Sequence, residues 1–412
     1  MKKLLVLGAV ALLAGIGTTI PADAARAEPY VVLVRDGVDA ATVAKGAGVT
    51  PTLVFPAIGG FAANLTGNQV NGLTRNAKVE SVAPDDVVAA VEPPAPPPSP
   101  FPQGITSGIR RIGGLESPTA DIDGVDERID VDVAVLDTGI QPDHPDLNVA
   151  GGVSCVKGTG WDDSNGHGTL VAGFVGAIDD PFGAVGVAPG TRVWAVRVAN
   201  DKGMIKESSL LCGLDWVQQH ADVVEIANMS FGMKASQPVQ SCEQNSQQDK
   251  QKDHIRQPIC DLVEGGVTVV ASAGNEAVDS ASQVPAAYPE VITVSALGDS
   301  DGQPGGLGAN PVCLPDQIDD HFAFFSNFGA PVDIAAPGVC ISSTFIGSQY
   351  ANASGTSFSA PLVSGAAALY ISAHSDASPA QVQQTLVARS EAGPMPGDPD
   401  TFPEGVLNVR GL

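Results

Sequence analysis

Val131-Asp132-Val133-Ala134-Val135-Leu136-Asp137-Thr138-Gly139 is the stretch on which the fold turns. A short, almost unbroken apolar run is the pattern of a strand buried on both faces. It stops at an aspartate followed by a Thr-Gly turn signal. Further runs of the same kind cover Arg192 to Val198, Val223 to Met229, Val267 to Ala271 and Val291 to Ser295. Between them lie segments with helical spacing: His167 to Ala177, Ser208 to Gln219 and Ile259 to Glu264. Strands alternating with helices predict an α/β fold with a mainly parallel sheet wrapped on both faces. In such sheets binding sites collect at the carboxyl ends of the strands. Asp137 stands at one of those ends.

Upstream, the pattern changes at Pro93-Pro94-Ala95-Pro96-Pro97-Pro98-Ser99-Pro100-Phe101-Pro102. So many prolines cannot form helix or central strand, and residues 93–103 read as an extended linker. Residues 28–92 read as a separate small α+β unit. Tyr30–Val34, Thr52–Phe55, Gly60–Leu65 and part of Val79–Val91 are its strand candidates. Asp39–Gly46 and Asn68–Asn76 are its helix candidates, giving the order of a split βαβ unit, ferredoxin-like. The first 27 residues carry Met1-Lys2-Lys3, an apolar run from Leu4 to Ile16, and small-x-small sites at Ala22–Ala24 and Ala25–Ala27. That run is too short to cross a membrane, which takes about 20 residues, and matches a secretory signal peptide. No other segment suggests a membrane anchor.

Composition narrows the function. Hydrophobic residues make up 43 %, too many for a disordered chain. The formal charge of −25 argues against nucleic acid and anionic membranes as partners. Six cysteines in an exported chain, none in a Cys-x-x-Cys pair, favour disulfides over a zinc site.

Three segments carry chemistry. Asp137 ends a buried strand and needs a partner there. His167 lies in Asn165-Gly166-His167-Gly168-Thr169, where small neighbours leave room around the ring. Ser357 lies in Gly355-Thr356-Ser357-Phe358-Ser359-Ala360-Pro361, at the start of a helix whose free N–H groups can stabilise an oxyanion. Taken singly, each is ordinary: a strand-end Asp caps turns, a Gly-flanked His is often structural, and a Ser at a helix start is an N-cap. Their joint appearance, in the order Asp, His, Ser and each at an element end, is what points to a catalytic set. Asn275, after the Val267–Ala271 run, adds an amide able to donate to developing negative charge.

On these residues, 104–412 resembles the subtilisin-like serine proteases. Asp137-Thr138-Gly139, His167-Gly168-Thr169-Leu170-Val171-Ala172-Gly173 and Gly355-Thr356-Ser357-Phe358-Ser359-Ala360-Pro361 match the three family signatures. Leu170 replaces a second His found in many relatives, and Phe358-Ser359 replace the commoner Met-Ala. The resemblance implies a three-layer fold, Ser357 as nucleophile, His167 as general base and acid, Asp137 as its orienting partner, and Asn275 in the oxyanion hole. It implies main-chain substrate pairing at Ser230, Phe231 and Gly232, with Gly203 on the opposite edge and Gln283 lining the first specificity pocket. Glu276 near that pocket is expected to disfavour acidic side chains. By the same likeness, residues 28–92 are an inhibitory propeptide, cleaved near Glu92 or a few residues away, and the mature enzyme is a secreted monomer acting on proteins or peptides. Asp146, Asp180 and the carbonyls of Ile178, Phe182 and Ala184 are expected to hold a structural calcium ion.

Two other functions compete. A silent protease-like binding module would not require the complete catalytic set. An α/β-hydrolase esterase would carry Gly-x-Ser-x-Gly in the order Ser, acid, His, which Ser357 lacks. The loops 234–258 and 299–320 are longer than the family's usual connections and read as polar surface loops. Of fifteen possible disulfide pairings, the favoured one joins Cys242 to Cys260 and Cys313 to Cys340 across those loops, leaving Cys155 with Cys212. The remaining histidines, His144, His220, His254, His321 and His374, read as surface or structural. Asn64, Asn228 and Asn352 match the glycosylation pattern, the last two inside motifs where a chance match is favoured.

Overall fold

A computed structural model describes residues 26–91, 104–235, 239, 241–242, 253–393 and 395–412. Most of the expected signal peptide and the whole proline-rich linker lie outside the described residues.

The first unit contains β1 (Glu28–Val34), α1 (Ala40–Gly46), β2 (Leu53–Phe55), β3 (Gly60–Leu65), α2 (Gly67–Thr74), β4 (Val79–Pro84) and β5 (Val87–Ala90). Strands β1 to β4 form an antiparallel sheet in the order β2-β3-β1-β4. Asp39 caps α1, and Thr66 with Gln69 closes a capping box on α2. Val32, Phe61, Leu65 and Leu73 are the centre of its own core. The final stretch differs from the single strand expected. Pro84-Asp85-Asp86 breaks it, and β5 leaves this sheet altogether.

The larger unit contains α3 (Ser107–Arg111), β6 (Asp132–Asp137), β7 (Asn148–Ser154), α4 (His167–Gly176), β8 (Arg192–Arg197), β9 (Met204–Lys206), α5 (Glu207–Gln219) and β10 (Ile226–Met229). It continues with β11 (Met233–Lys234), α6 (Arg256–Glu264), β12 (Thr268–Ser272), β13 (Gln283–Val284), β14 (Ile292–Gly298), β15 (His321–Phe322) and β16 (Ile334–Pro337). It ends with β17 (Ile341–Phe345), β18 (Gln349–Ala353), α7 (Thr356–Ala373), α8 (Pro379–Arg389) and β19 (Gly405–Val406). Nine strands among the described residues make the main sheet. Eight run in the order β19-β16-β14-β12-β10-β6-β8-β7, and β15 pairs with β14. All pairings are parallel except that of β15.

Strand alternation builds the three layers. From β6, Val133 and Val135 point into a core shared with α4 and α7. Ala134 and Leu136 point the other way, into a core shared with α5 and α6. Strand β6 lies between β8 and β10: from it the chain runs out to β7, returns through β8, and then crosses to β10 on the other side. That is the switch point where a parallel sheet opens a cleft.

The two units touch along α5 and β9. Asp215 of α5 accepts the N–H groups of Ala57 and Ile58 at 2.7 and 2.9 Å. Asp85 accepts from Ser208 at the start of α5 at 3.0 Å. Strand β5 pairs antiparallel with β9, and the Val91 N–H reaches the Gly203 carbonyl at 2.9 Å.

The three disulfides are Cys155–Cys212, Cys242–Cys260 and Cys313–Cys340. The loop 299–320 is more than a polar surface connection. Asp319 holds the N–H groups of Ser300 and Gly308, and Asp320 holds those of Gly305 and Gly306. Asp320 also accepts from buried Arg111 at 2.8 Å, and Arg111 donates to Glu391 at 2.8 Å. The loop also holds Leu307 and Val312 out in solvent.

One buried carboxyl in this frame makes stability depend on pH. Glu404 accepts from Ser295 Oγ at 2.5 Å, and its Oε2 has no hydrogen-bond partner. Burial, reinforced by Asp398 and Asp400, pushes its pKa up to about 7. A carboxyl that holds its proton more tightly when folded loses stability as pH rises from the unfolded value toward the folded one. Glu404→Gln cannot ionise. It should melt about 2–5 °C above wild type at pH 8, with the gap closing by pH 4.5. A gap of constant size in thermal melts across that range would refute this account.

Candidate active site

Asp137 is the last residue of β6 and has no exposed surface. Its Oδ1 accepts from the Thr138 N–H at 2.7 Å. Its two oxygens lie 2.8 and 2.9 Å from His167 Nδ1. A carboxylate can only accept, so Nδ1 carries the proton and the neutral ring presents a lone pair at Nε2.

The start of α4 is lashed to the end of β6 by two polar residues. Asp163 accepts from the N–H groups of Asn165, Gly166 and Thr169 and from Thr169 Oγ1. Thr138 Oγ1 donates to Asp163 at 2.9 Å and accepts from the Gly168 N–H at 2.9 Å. Asp163 lies outside the three signature segments. An acidic residue four positions before His167, at a helix start, was the available signal. Gly168 is dictated by close approach: a Cβ there would lie 2.1 Å from the Gly139 carbonyl and 3.1 Å from Asp137 Cβ.

Ser357 sits in the first turn of α7, where N–H groups have no acceptor within the helix. Gly355, at φ 151°, lets the chain turn into that helix. Ser357 Oγ donates to the Ser230 carbonyl at 3.0 Å rather than to His167. The next ring, Phe358, lies 5.1 Å from the imidazole of His167, so the two segments share a wall. Asn275 Oδ1 accepts from both the N–H and the Oγ1 of Thr356 at 2.9 Å. That fixes the amide and turns its Nδ2 toward Gly355, 3.5 Å from where a Cβ would stand. Two donors, Ser357 N–H and Asn275 Nδ2, are therefore available at the mouth of the helix. Leu170, in place of a second His, is fully buried in the core.

The expected substrate residues flank this site. Ser230 and Phe231 are buried at the end of β10, and Gly232 is partly open. Strand β11 then pairs with β13, which places Gln283 Oε1 4.0 Å from the Cβ position of Gly232. Glu276 is exposed, and its Oε2 accepts from the Asn275 N–H and from Asn327 Nδ2, both at 3.0 Å. Buried Asn327 also accepts from the N–H groups of Glu276 and Val278, a brace the sequence did not announce. Gly203 meets β5 rather than open solvent, and β5 also lies against β11. Ala89 and Val91 pack with Ile205, Met229 and Phe231 in one cluster.

Asp146 and the 178–184 loop come together as expected. Asp146 is buried, its Oδ2 accepts from the Ala184 N–H at 2.8 Å, and its main-chain carbonyl accepts from Ile178 at 3.1 Å. Its Oδ1 has no hydrogen-bond partner, and burial pushes its pKa up to about 7. Asp180 accepts from the Phe182 N–H at 2.7 Å, and Phe182 itself is exposed. Asn228, in a glycosylation-like triplet, is fully buried.

The close approach at Gly168 sets a test. Alanine is favoured over glycine in a helix by about 1 kcal/mol, but overpacking costs about 1–3 kcal/mol. A backbone oxygen 2.1 Å away cannot rotate aside, so the clash wins. Gly168→Ala should lower the melting temperature; a variant as stable as wild type would show that α4 has room to move.

The comparisons agree with this geometry. A profile of the subtilase family matches residues 129–408. Subtilisin DY from Bacillus licheniformis is 33 % identical over 285 residues, covering 68 % of this chain and 89 % of the relative. Subtilisin Savinase from Lederbergia lenta is 37 % identical over 268 residues, covering 65 % of this chain and 84 % of the relative. The crystal structure of a cold adapted subtilisin-like serine proteinase superposes with a TM-score of 0.56 at 26 % identity, covering 75 % of this chain and 98 % of that one. The chain belongs to the subtilase family and is a serine endopeptidase of the subtilisin-like fold.

Proposed function

We propose that this endopeptidase acts through Ser357, His167, Asp137 and Asn275, and that it is secreted as a precursor that processes itself. The observation that carries the catalytic assignment is the His167 imidazole held on the enclosed Asp137 carboxylate at 2.8 Å, with its Nε2 free. The Ser357 hydroxyl turns from the Ser230 carbonyl to Nε2, which takes its proton as Oγ attacks the peptide carbonyl. Asp137 stabilises the imidazolium that results. The Ser357 N–H and Asn275 Nδ2 receive the oxyanion. The proton then passes from His167 to the leaving amine, and water enters by the same route to release the acyl group.

Substrates are proteins or peptides, bound in extended form between Ser230–Gly232 and Gly203, with Gln283 bordering the pocket for the residue before the cut. Residues 28–92 serve as the inhibitory propeptide. The pairing of β5 with β9 and the Val91 bond to Gly203 support this, because they occupy the edge assigned to substrate. Cleavage falls at or near the linker 93–103, after export directed by residues 1–27. No helix among the described residues is long and apolar enough to cross a membrane. The mature enzyme acts as a monomer.

A calcium ion fits at Asp146, whose buried Oδ1 lacks a partner. Asp180 and the carbonyls of Ile178, Phe182 and Ala184 would complete its oxygen shell. When bound, the ion supplies the positive charge that this buried carboxylate otherwise lacks.

Expression of the full chain beside Ser357→Ala tests the core of the proposal. Wild type should shorten and digest casein, and the variant should do neither. A wild type that stays full length and inert would favour a silent binding module. Asn275→Ala should lower kcat by about 10²–10³ with little change in KM, the loss known for the corresponding kind of donor in subtilisin. For the ion, excess chelator should shorten the half-life at elevated temperature, and Asp180→Ala should abolish that sensitivity. Equal half-lives in chelator and in millimolar calcium would remove the site.

A further inference from the structure

Helix α7 contains Pro361, four residues after the nucleophile. Proline has no N–H, so the Ser357 carbonyl loses the donor that the fourth residue on would give it in a regular helix. Ser230 Oγ supplies that bond from outside, at 2.7 Å. The Ser230 carbonyl in turn accepts from Ser357 Oγ at 3.0 Å, so one residue grips the nucleophile at both its backbone and its hydroxyl. Ser230 is itself held. Asn228 Nδ2 donates to Ser230 Oγ at 2.9 Å, and Ser364 Oγ donates to Asn228 Oδ1 at 2.9 Å. Asn228, Ser230 and Ser364 all have no exposed surface, so no water competes for these bonds.

Resting on the serine-peptidase reading, we propose that Asn228 and Ser364 are positioning residues that fix the nucleophile through Ser230. Direction is set by the Ser357 carbonyl, which can only accept: Ser230 Oγ gives its proton there, so Asn228 meets Ser230 with Nδ2 and leaves Oδ1 for the Ser364 hydroxyl. With the amide reversed, Ser230 Oγ would donate to Asn228 and leave the Ser357 carbonyl unsatisfied. Ser364 is seven residues beyond Ser357, two turns along the same helix face. Both ends of the relay are therefore on α7, and the relay clamps that helix to β10 in one register.

A double-mutant cycle on the full chain, as purified after expression, tests this. The readouts are the rate of phosphonylation by a small fluorophosphonate, which reports Ser357 directly, together with kcat and KM on a peptide anilide. Ser364→Ala should slow phosphonylation and lower kcat about 3- to 10-fold, with KM within twofold of wild type and the pH profile of kcat unmoved. Ser230→Ala should slow both further. Ser364→Ala placed on the Ser230→Ala background should add nothing, because the group it acts through is gone. Phosphonylation of Ser364→Ala at the wild-type rate, or losses that add in the double variant, would overturn the relay while leaving the peptidase intact. A wild type inert to the fluorophosphonate would remove the peptidase reading and the relay with it.

Discussion

A carboxylate sealed away from water must be met by donors, and the site is arranged around meeting one. Asp137 has no exposed surface, and an unpaired charge so placed would cost several kcal/mol or simply take up a proton. The Thr138 N–H and the His167 ring meet it. That requirement reaches outward through the fold. The helix carrying His167 has to come within van der Waals range of the strand end, which is possible only because Gly168 has no side chain. The loop before the helix has to hold a turn that aims the ring inward, and Asp163 does so by collecting N–H groups from Asn165, Gly166 and Thr169. The reward is chemical: an imidazole with one nitrogen committed and the other available.

Much of this was legible in the residues, for reasons that can be named. Strands β6, β8, β10, β12 and β14 are buried on both faces and so announce themselves as apolar runs. Strand β7 lies at the sheet edge and contains Gly151-Gly152, which break any apolar run that would announce it. Strand β16 is only Ile-Ala-Ala-Pro, too short to stand out. Helix α8 opens with Ser378-Pro379 and a capping box to Gln381, a start signal present in the sequence itself. The residues proposed to react stand out in the sequence because each lies at the end of an element and carries an unusual neighbourhood. Their supports do not. A serine at 364 within an apolar helix tells the reader that it must bond to something, but its partner is 136 residues away in the chain. Only the folded arrangement pairs them.

The acidic balance of the chain has a local counterpart at the junction of its two units. Asp215 and Asp85, from opposite sides, each take main-chain N–H groups of the other unit, and Asp85 does so at the first turn of α5, where negative charge is favoured. Neither bond reads a side chain. Side chains complete the junction: Lys206 Nζ lies 3.3 Å from Asp85 Oδ2, and Leu33, Phe55 and Ala89 of the first unit share a core with α5.

The pairing of β5 with β9 has a consequence for what such a cleft can act on. On the proposal that substrate takes the edge β5 covers, a substrate must offer several residues of extended backbone with one edge unpaired. A native helix or an interior strand has no such edge to give. A folded protein presents one only in the fraction of time that a segment has come loose, and that fraction is set by the free energy of opening. When reclosing outpaces cutting, the observed rate follows this population rather than the sequence around the bond. The enzyme then behaves as a gauge of local stability in its targets, sparing compact neighbours and consuming the frayed.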